Sequence, residues 1–231
     1  MKNILSLNAN QLKIIAAISM LIDHIGYLLF PNVIFLRIIG RISFPIFAYF
    51  IYIGMKYTRN EKDYFLRMFI AGIIMMIFTY LFGDRIWGNI MITFSCSIAL
   101  IIPIKRYLKE QKLIYLLQTI LVMIGAVFLS HYTNMDYGVI GSSLPVIAYI
   151  FDDGKNKNDI NYKALIAFVV GLIVLASSVF SVQYFSLLAL PFLLCYNGRK
   201  GKLNLKYFFY LFYPLHYLLL LLISQFITFG V

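Results

Sequence analysis

The sequence predicts an all-α protein that crosses a membrane many times. Of its 231 residues, 62% are hydrophobic and only 13% are charged. Apolar stretches long enough for a roughly 30 Å hydrocarbon core recur from end to end, and the cations gather in the short stretches between them. A water-soluble domain of this length exposes far more polar surface. No segment is long and polar enough for a soluble domain, so residues 1–231 read as a single integral-membrane domain.

Polar and charged breaks divide the chain into about nine spans. The first, 12–30, lacks a small-residue cleavage site and carries Asp23 and His24 in its body, unlike a secretory signal. The second, 33–55, follows through Pro31 and Asn32, a link that permits only a tight antiparallel hairpin. The spans at 66–82, 89–104, 113–131 and 138–151 follow, the last of these carrying Pro145. Read as one helix, 164–196 would extend about 50 Å at about 1.5 Å per residue, too far for a single crossing. Ser177, Ser178, Ser181 and Gln183 mark a turn within it, giving spans 164–178 and 183–196. The last span is 207–229.

Loop charge tests this division. Alternate loops hold Lys2 and Lys13; Lys56, Arg59, Lys62 and Arg67; Lys105, Arg106, Lys109 and Lys112; Lys155, Lys157 and Lys163; and Arg199, Lys200, Lys202 and Lys206. The opposite loops hold only Arg85. By the positive-inside rule the N-terminus is cytoplasmic and the C-terminus outside. The same rule accounts for the net charge of +11, so a nucleic-acid partner is not expected. The richness in Ile, Lys, Asn and Tyr fits an AT-rich bacterial genome.

Metal and nucleotide chemistry leave no trace. Cys96 and Cys195 lie inside apolar segments without ligand spacing, so no metal is expected. P-loop, HExxH, CxxC, serine-elbow and dinucleotide glycine patterns are all missing. Cys96, on an apolar face, reads as a small core residue. Trp87, Tyr132 and Tyr137 suit an interfacial belt, among outer-loop polar residues Asp84, Arg85, Asn89, Asn134 and Asp136.

Four ionisable residues resist a purely structural account. Arg37 and Arg41 are four apart and share a helix face. Across the hairpin, His24 lies roughly 9 Å from the outer end of the first span, and the arginines roughly 6 and 12 Å from the outer end of the second. All, with Asp23, therefore sit at similar depth, where an unpaired charge costs several kcal/mol. A structural ion pair between Asp23 and one arginine accounts for two of them. A polar active site accounts for all four, because an imidazole beside a carboxylate offers general-base chemistry. His131 and His216, the other two histidines, fit interhelical hydrogen bonding as readily as chemistry.

Asp23-His24-Ile25-Gly26 and Leu36-Arg37-Ile38-Ile39-Gly40-Arg41-Ile42-Ser43-Phe44-Pro45-Ile46-Phe47-Ala48 resemble the signature of the TraX family. The likeness continues through Asn89-Ile90-Met91, Asp136-Tyr137-Gly138-Val139-Ile140-Gly141, Leu190-Pro191 with Tyr196-Asn197-Gly198, and Phe209 to His216. The family's namesake is a conjugative-plasmid protein required for N-terminal acetylation of pilin. More distantly, Lys13 followed after ten residues by His24 is similar to the Arg-x10-His pattern of membrane acyltransferases of family 3. Those enzymes O-acylate cell-surface sugars and are related in kind to the lysosomal heparan glucosaminide N-acetyltransferase. Lys13 departs from that pattern: it keeps the charge but loses the bidentate fork.

The resemblance implies a multi-pass enzyme of the bacterial plasma (inner) membrane that moves an acetyl group from acetyl-CoA to an amine or hydroxyl of a peptide, protein or surface glycan. N-acetyl transfer is the favoured form. It implies His24 as catalytic base, with Asp23 orienting it or balancing the imidazolium. Arg37, Arg41 and Lys13 would bind the donor's phosphates or, for the arginines, the thioester oxyanion, with His216, Tyr213 and Asp136 in the same pocket. Expected partners are the lipid bilayer, acyl-CoA and the acceptor. A small-molecule transporter would show paired repeats or broken helices, and neither is evident. A non-catalytic peptide-binding or assembly protein would use the same cavity without chemistry.

Overall fold

A computed structural model of the chain describes residues 6–82, 88–154, 160–178 and 182–229. Lys2, Asp84, Arg85, Trp87, Lys155, Lys157 and Ser181, singled out above, lie outside the described residues.

Among the described residues the chain is all-helical, apart from one isolated bridge between Leu7 and Tyr196. The helices are α1 (Ala9–Leu28), α2 (Ile34–Gly40), α3 (Ser43–Tyr57), α4 (Glu61–Leu81), α5 (Ile90–Glu110), α6 (Leu113–Thr133), α7 (Gly138–Ile150), α8 (Tyr162–Ser178), α9 (Leu190–Leu194) and α10 (Lys206–Phe229). A 3₁₀ helix, Val182–Ala189, leads directly into α9.

Among the described residues, six segments are long and apolar enough to cross a membrane: Ala9–Leu28, Ile34–Tyr57, Glu61–Leu81, Ile90–Glu110, Leu113–Thr133 and Tyr207–Ile227. Gly138–Ile150, Tyr162–Ser178 and Val182–Leu194 are apolar but shorter, so a count of nine crossings rests on these three. The expected second span is two helices with a break after Gly40. The expected span at 183–196 begins as 3₁₀ rather than α-helix, whose steeper rise covers more distance per residue.

The chain divides into two compact units. The first combines residues up to Phe47 with Asp153 onward. Its α1 starts at a capping box: Asn8 Oδ1 accepts from Gln11 N at 3.1 Å, and Gln11 Oε1 accepts from Asn8 N at 2.9 Å. Backbone bonds tie this start to the chain after α9, with Leu7 N donating to Cys195 O at 2.8 Å and Ala9 N to Arg199 O at 2.8 Å. Further up, α1 packs on α2 and α10, while the 3₁₀ helix packs on α2 and α8.

The second unit, Ala48–Asp152, is organised around α5, which packs on α4, α6 and α7. Asn89 caps α5 by accepting from Met91 N at 3.0 Å, and its own amide donates to Gly72 O at 2.9 Å. Ile92 lies where a side chain on Gly72 would stand, so the glycine permits the α4–α5 approach. Ile92, Cys96, Ala126 and Met135 form a buried cluster, as expected for Cys96. By contrast, α6 buries only Ala126 and exposes Leu117, Leu121, Ile124 and Phe128. An apolar surface of that kind suits lipid rather than water.

Candidate active site

Successive residues on an α-helix point about 100° apart. Asp23 and His24 on α1 therefore face different neighbours: Asp23 meets α2 and His24 meets α10. Four-residue spacing puts Arg37 and Arg41 on one side of the hairpin's returning strand of chain, opposite Asp23.

The carboxylate of Asp23 is shared by both arginines. Arg37 Nη1 donates to Asp23 Oδ2 at 2.7 Å and to the Asp23 carbonyl at 3.1 Å. Arg41 Nη2 donates to Oδ1 at 2.5 Å and to Oδ2 at 2.7 Å. Arg41 Nε also donates to Arg37 O at 3.3 Å, and its Nη1 to Gln183 Oε1 on the 3₁₀ helix at 3.4 Å. The Arg37 guanidinium lies 5.2 Å from the centre of the Tyr27 ring. Asp23 and Arg41 are nearly enclosed, with side chains 12% and 13% exposed. Two guanidiniums on one carboxylate leave a positive charge in excess.

Gly40 makes this approach possible. A Cβ there would collide with the Asp23 carboxylate and its Cβ. Gly40→Ala is therefore expected to lower the melting temperature of the detergent-solubilised protein sharply, by a loss of at least about 2 kcal/mol, because it pushes the carboxylate off its partners. Gly125→Ala is the control: a Cβ at Gly125 meets nothing within 4 Å, and alanine's higher helix propensity favours a neutral or slightly stabilising result. Equal melting shifts for the two variants would contradict this account.

His24 pairs with His216. His24 Nδ1 lies 2.7 Å from His216 Nε2, and His216 Nδ1 lies 2.5 Å from the Phe212 carbonyl oxygen. A carbonyl only accepts, so His216 Nδ1 carries the proton. In the neutral pair His216 Nε2 is then the acceptor, and His24 Nδ1–H donates to it. The lone pair of His24 Nε2 is left without a partner among the described residues. Aromatic rings hold the pair: Phe212 stacks on His216 at 4.6 Å, and Tyr217 meets His24 edge-on at 5.0 Å, with Tyr213 at 6.2 Å. No hydrogen bond joins Asp23 to His24 among the described residues, so the imidazole is oriented by His216 instead of the carboxylate.

Lys13, Asp136 and His131 make other contacts. Lys13 is on α1, roughly 16 Å along the helix from His24 at about 1.5 Å per residue, and close enough to Lys200 to feel its charge. Asp136 belongs to the second unit, where its carbonyl accepts from Thr93 Oγ1 at 2.6 Å. His131 is exposed and meets the ring of Tyr132 at 5.4 Å. Gln183 and Tyr217 were not singled out as site residues by sequence; Tyr217 looked like one aromatic among many, and Gln183 like part of a polar turn.

A family model described as "TraX protein" matches residues 8–224. The chain is 28% identical over 241 aligned positions to a probable fimbrial assembly protein, FimC of serogroup H1, from Dichelobacter nodosus, covering 92% of this chain and 94% of that one. It is also 41% identical over 83 residues to an uncharacterized protein of Rickettsia prowazekii (strain Madrid E), covering 36% of this chain but only 32% of that one. No solved structure matches the chain. With the family match running through α1, both arginines and His216, the chain belongs to the TraX family.

Proposed function

We propose that this protein is a membrane-embedded acetyltransferase that uses acetyl-CoA and acts on an amine or hydroxyl, with His24 as general base. The observation that carries the reading is the His24–His216 pair, whose hydrogen bonds leave His24 Nε2 as a free base. In the step proposed, Nε2 takes the acceptor's proton as its nitrogen or oxygen attacks the thioester carbonyl. The carbon–sulfur bond breaks, and the proton passes from Nε2 to the departing thiolate. His216 positions the ring and shares the charge while His24 is protonated. The positive charge in excess on Arg37, Asp23 and Arg41 lies one residue along α1 and suits the developing oxyanion. Lys13 and Lys200, like charges within electrostatic reach of each other, suit the donor's phosphates. The separation of Lys13 from His24, roughly 16 Å, is comparable to an extended pantetheine arm.

The near full-length relative named as a probable fimbrial assembly protein favours a pilin-like polypeptide as acceptor. The same name favours, as a second reading, an assembly protein that holds a subunit without chemistry. Release of coenzyme A from acetyl-CoA by the purified protein with a peptide amine separates them: turnover supports the enzyme, and binding without turnover supports the assembly role.

The topology proposed is nine crossings in the inner membrane, N-terminus cytoplasmic and C-terminus outside. With Cys96 and Cys195 replaced by serine, single cysteines at the exposed positions Asn60, Lys109 and Lys202 are expected to label from the cytoplasm, and one at Asn134 from outside. Labelling of Lys202→Cys from outside would contradict the crossing at 182–194.

A further inference from the structure

The 3₁₀ helix buries Gln183, Ser186 and Ala189. Residues three apart eclipse one another in a 3₁₀ helix, so these three form one inward row. Two of them are polar. Gln183 is 3% exposed and Ser186 fully buried, yet Gln183 Nε2 and Ser186 Oγ have no hydrogen-bond partner among the described residues. The Gln183 amide is oriented by chemistry: Arg41 Nη1 only donates, so the oxygen faces it, and the two N–H donors of Nε2 face away.

Buried orphan polar groups are costly, and two on one face, a helical turn apart, call for a ligand that uses both. Their location narrows the choice. The 3₁₀ helix begins level with Asp23, through Gln183 and Arg41. The α9 segment ends level with the start of α1, through Leu7 and Cys195. From Gln183 to Cys195 the 3₁₀ helix and α9 rise roughly 21 Å, and from Leu7 to Asp23 the chain entering and following α1 rises roughly 24 Å. The two segments thus run antiparallel at matched heights, and Ser186 falls between the level of Lys13 and that of His24.

We infer that Gln183 and Ser186 form a subsite for an amide group of a substrate chain, with Gln183 Nε2 donating to its carbonyl and Ser186 Oγ accepting its N–H. A trans amide presents those two groups on opposite edges, as two side chains roughly 6 Å apart along the axis require. The inference rests on the acetyl-transfer reading for its source of amides: the pantetheine arm of the donor, or the backbone of a polypeptide acceptor.

The experiment measures melting temperature without ligand, and Kd for coenzyme A and for trialanine amide, in wild type, Ser186→Ala and Gln183→Leu. Removing an orphaned polar group stabilises the ligand-free protein, so Ser186→Ala is expected to melt higher while binding at least one probe roughly ten-fold more weakly. Weakening for coenzyme A alone assigns the subsite to the donor; weakening for the peptide alone assigns it to the acceptor. Gln183→Leu is expected to weaken the same probe. A lower melting temperature for Ser186→Ala would mean that the hydroxyl serves the fold, through an ordered water, and overturns the subsite. So does an unchanged Kd for every probe that binds, or a wild-type protein that binds neither. Failure of coenzyme A alone to bind wild type counts against the acetyl-transfer reading and leaves a peptide-specific loss intact.

Discussion

His24→Ala is expected to reduce acetyl transfer by roughly 10²–10⁴-fold, the contribution of a positioned general base, while the purified protein stays folded and monodisperse. The geometry adds a second arm to the test. His216 holds His24 in the tautomer that frees Nε2, so His216→Ala is expected to lower kcat with little change in KM for acetyl-CoA. His216→Gln restores part of the loss, because an amide oxygen at that position accepts from His24 Nδ1–H. A histidine pair that served packing alone would behave otherwise: both alanine variants would melt lower, and turnover per folded molecule would be unchanged. Normal coenzyme A release by His24→Ala, at verified wild-type expression, sinks the catalytic role.

The helices were legible because apolar runs and charged breaks report directly on what a bilayer tolerates. The Pro31-Asn32 hairpin and the common depth of Asp23, His24, Arg37 and Arg41 followed from counting residues along two helices. What counting does not supply is azimuth. Asp23 and His24 are adjacent in sequence, which suggests a pair, yet neighbours on a helix do not face each other. The carboxylate turns to two arginines and the imidazole to a residue 192 positions away. The partnership with His216 was visible only through family likeness. Gln183 was read as a turn residue because polarity in an apolar run usually marks a break. The 3₁₀ helix reverses that meaning by eclipsing Gln183 and Ser186 on a buried face. The break after Gly40 was equally hidden, since a single glycine inside an apolar run is also tolerated within a continuous helix.

Asp23→Ala is expected to destabilise the protein by about 3–5 kcal/mol, because it leaves the nearly enclosed Arg41 guanidinium facing that of Arg37 without their shared carboxylate. Asp23→Asn should come close to the same loss: the amide keeps an oxygen for one arginine but removes the charge that balances either. Arg37→Leu should cost least, since Arg41 alone still neutralises Asp23 and Arg37 is the more exposed partner, its side chain 28% exposed. The decisive variant replaces all three residues, Asp23→Leu with Arg37→Leu and Arg41→Met. Buried ion clusters exchanged whole for apolar side chains of similar volume are often neutral or stabilising, so this variant is expected to melt at or near the wild-type temperature and well above Asp23→Ala. Its coenzyme A release then separates the two accounts of the cluster. Loss of turnover in a well-folded triple variant means that the charges are retained for the site. Full turnover would make the cluster a hairpin clasp and leave the oxyanion without these donors.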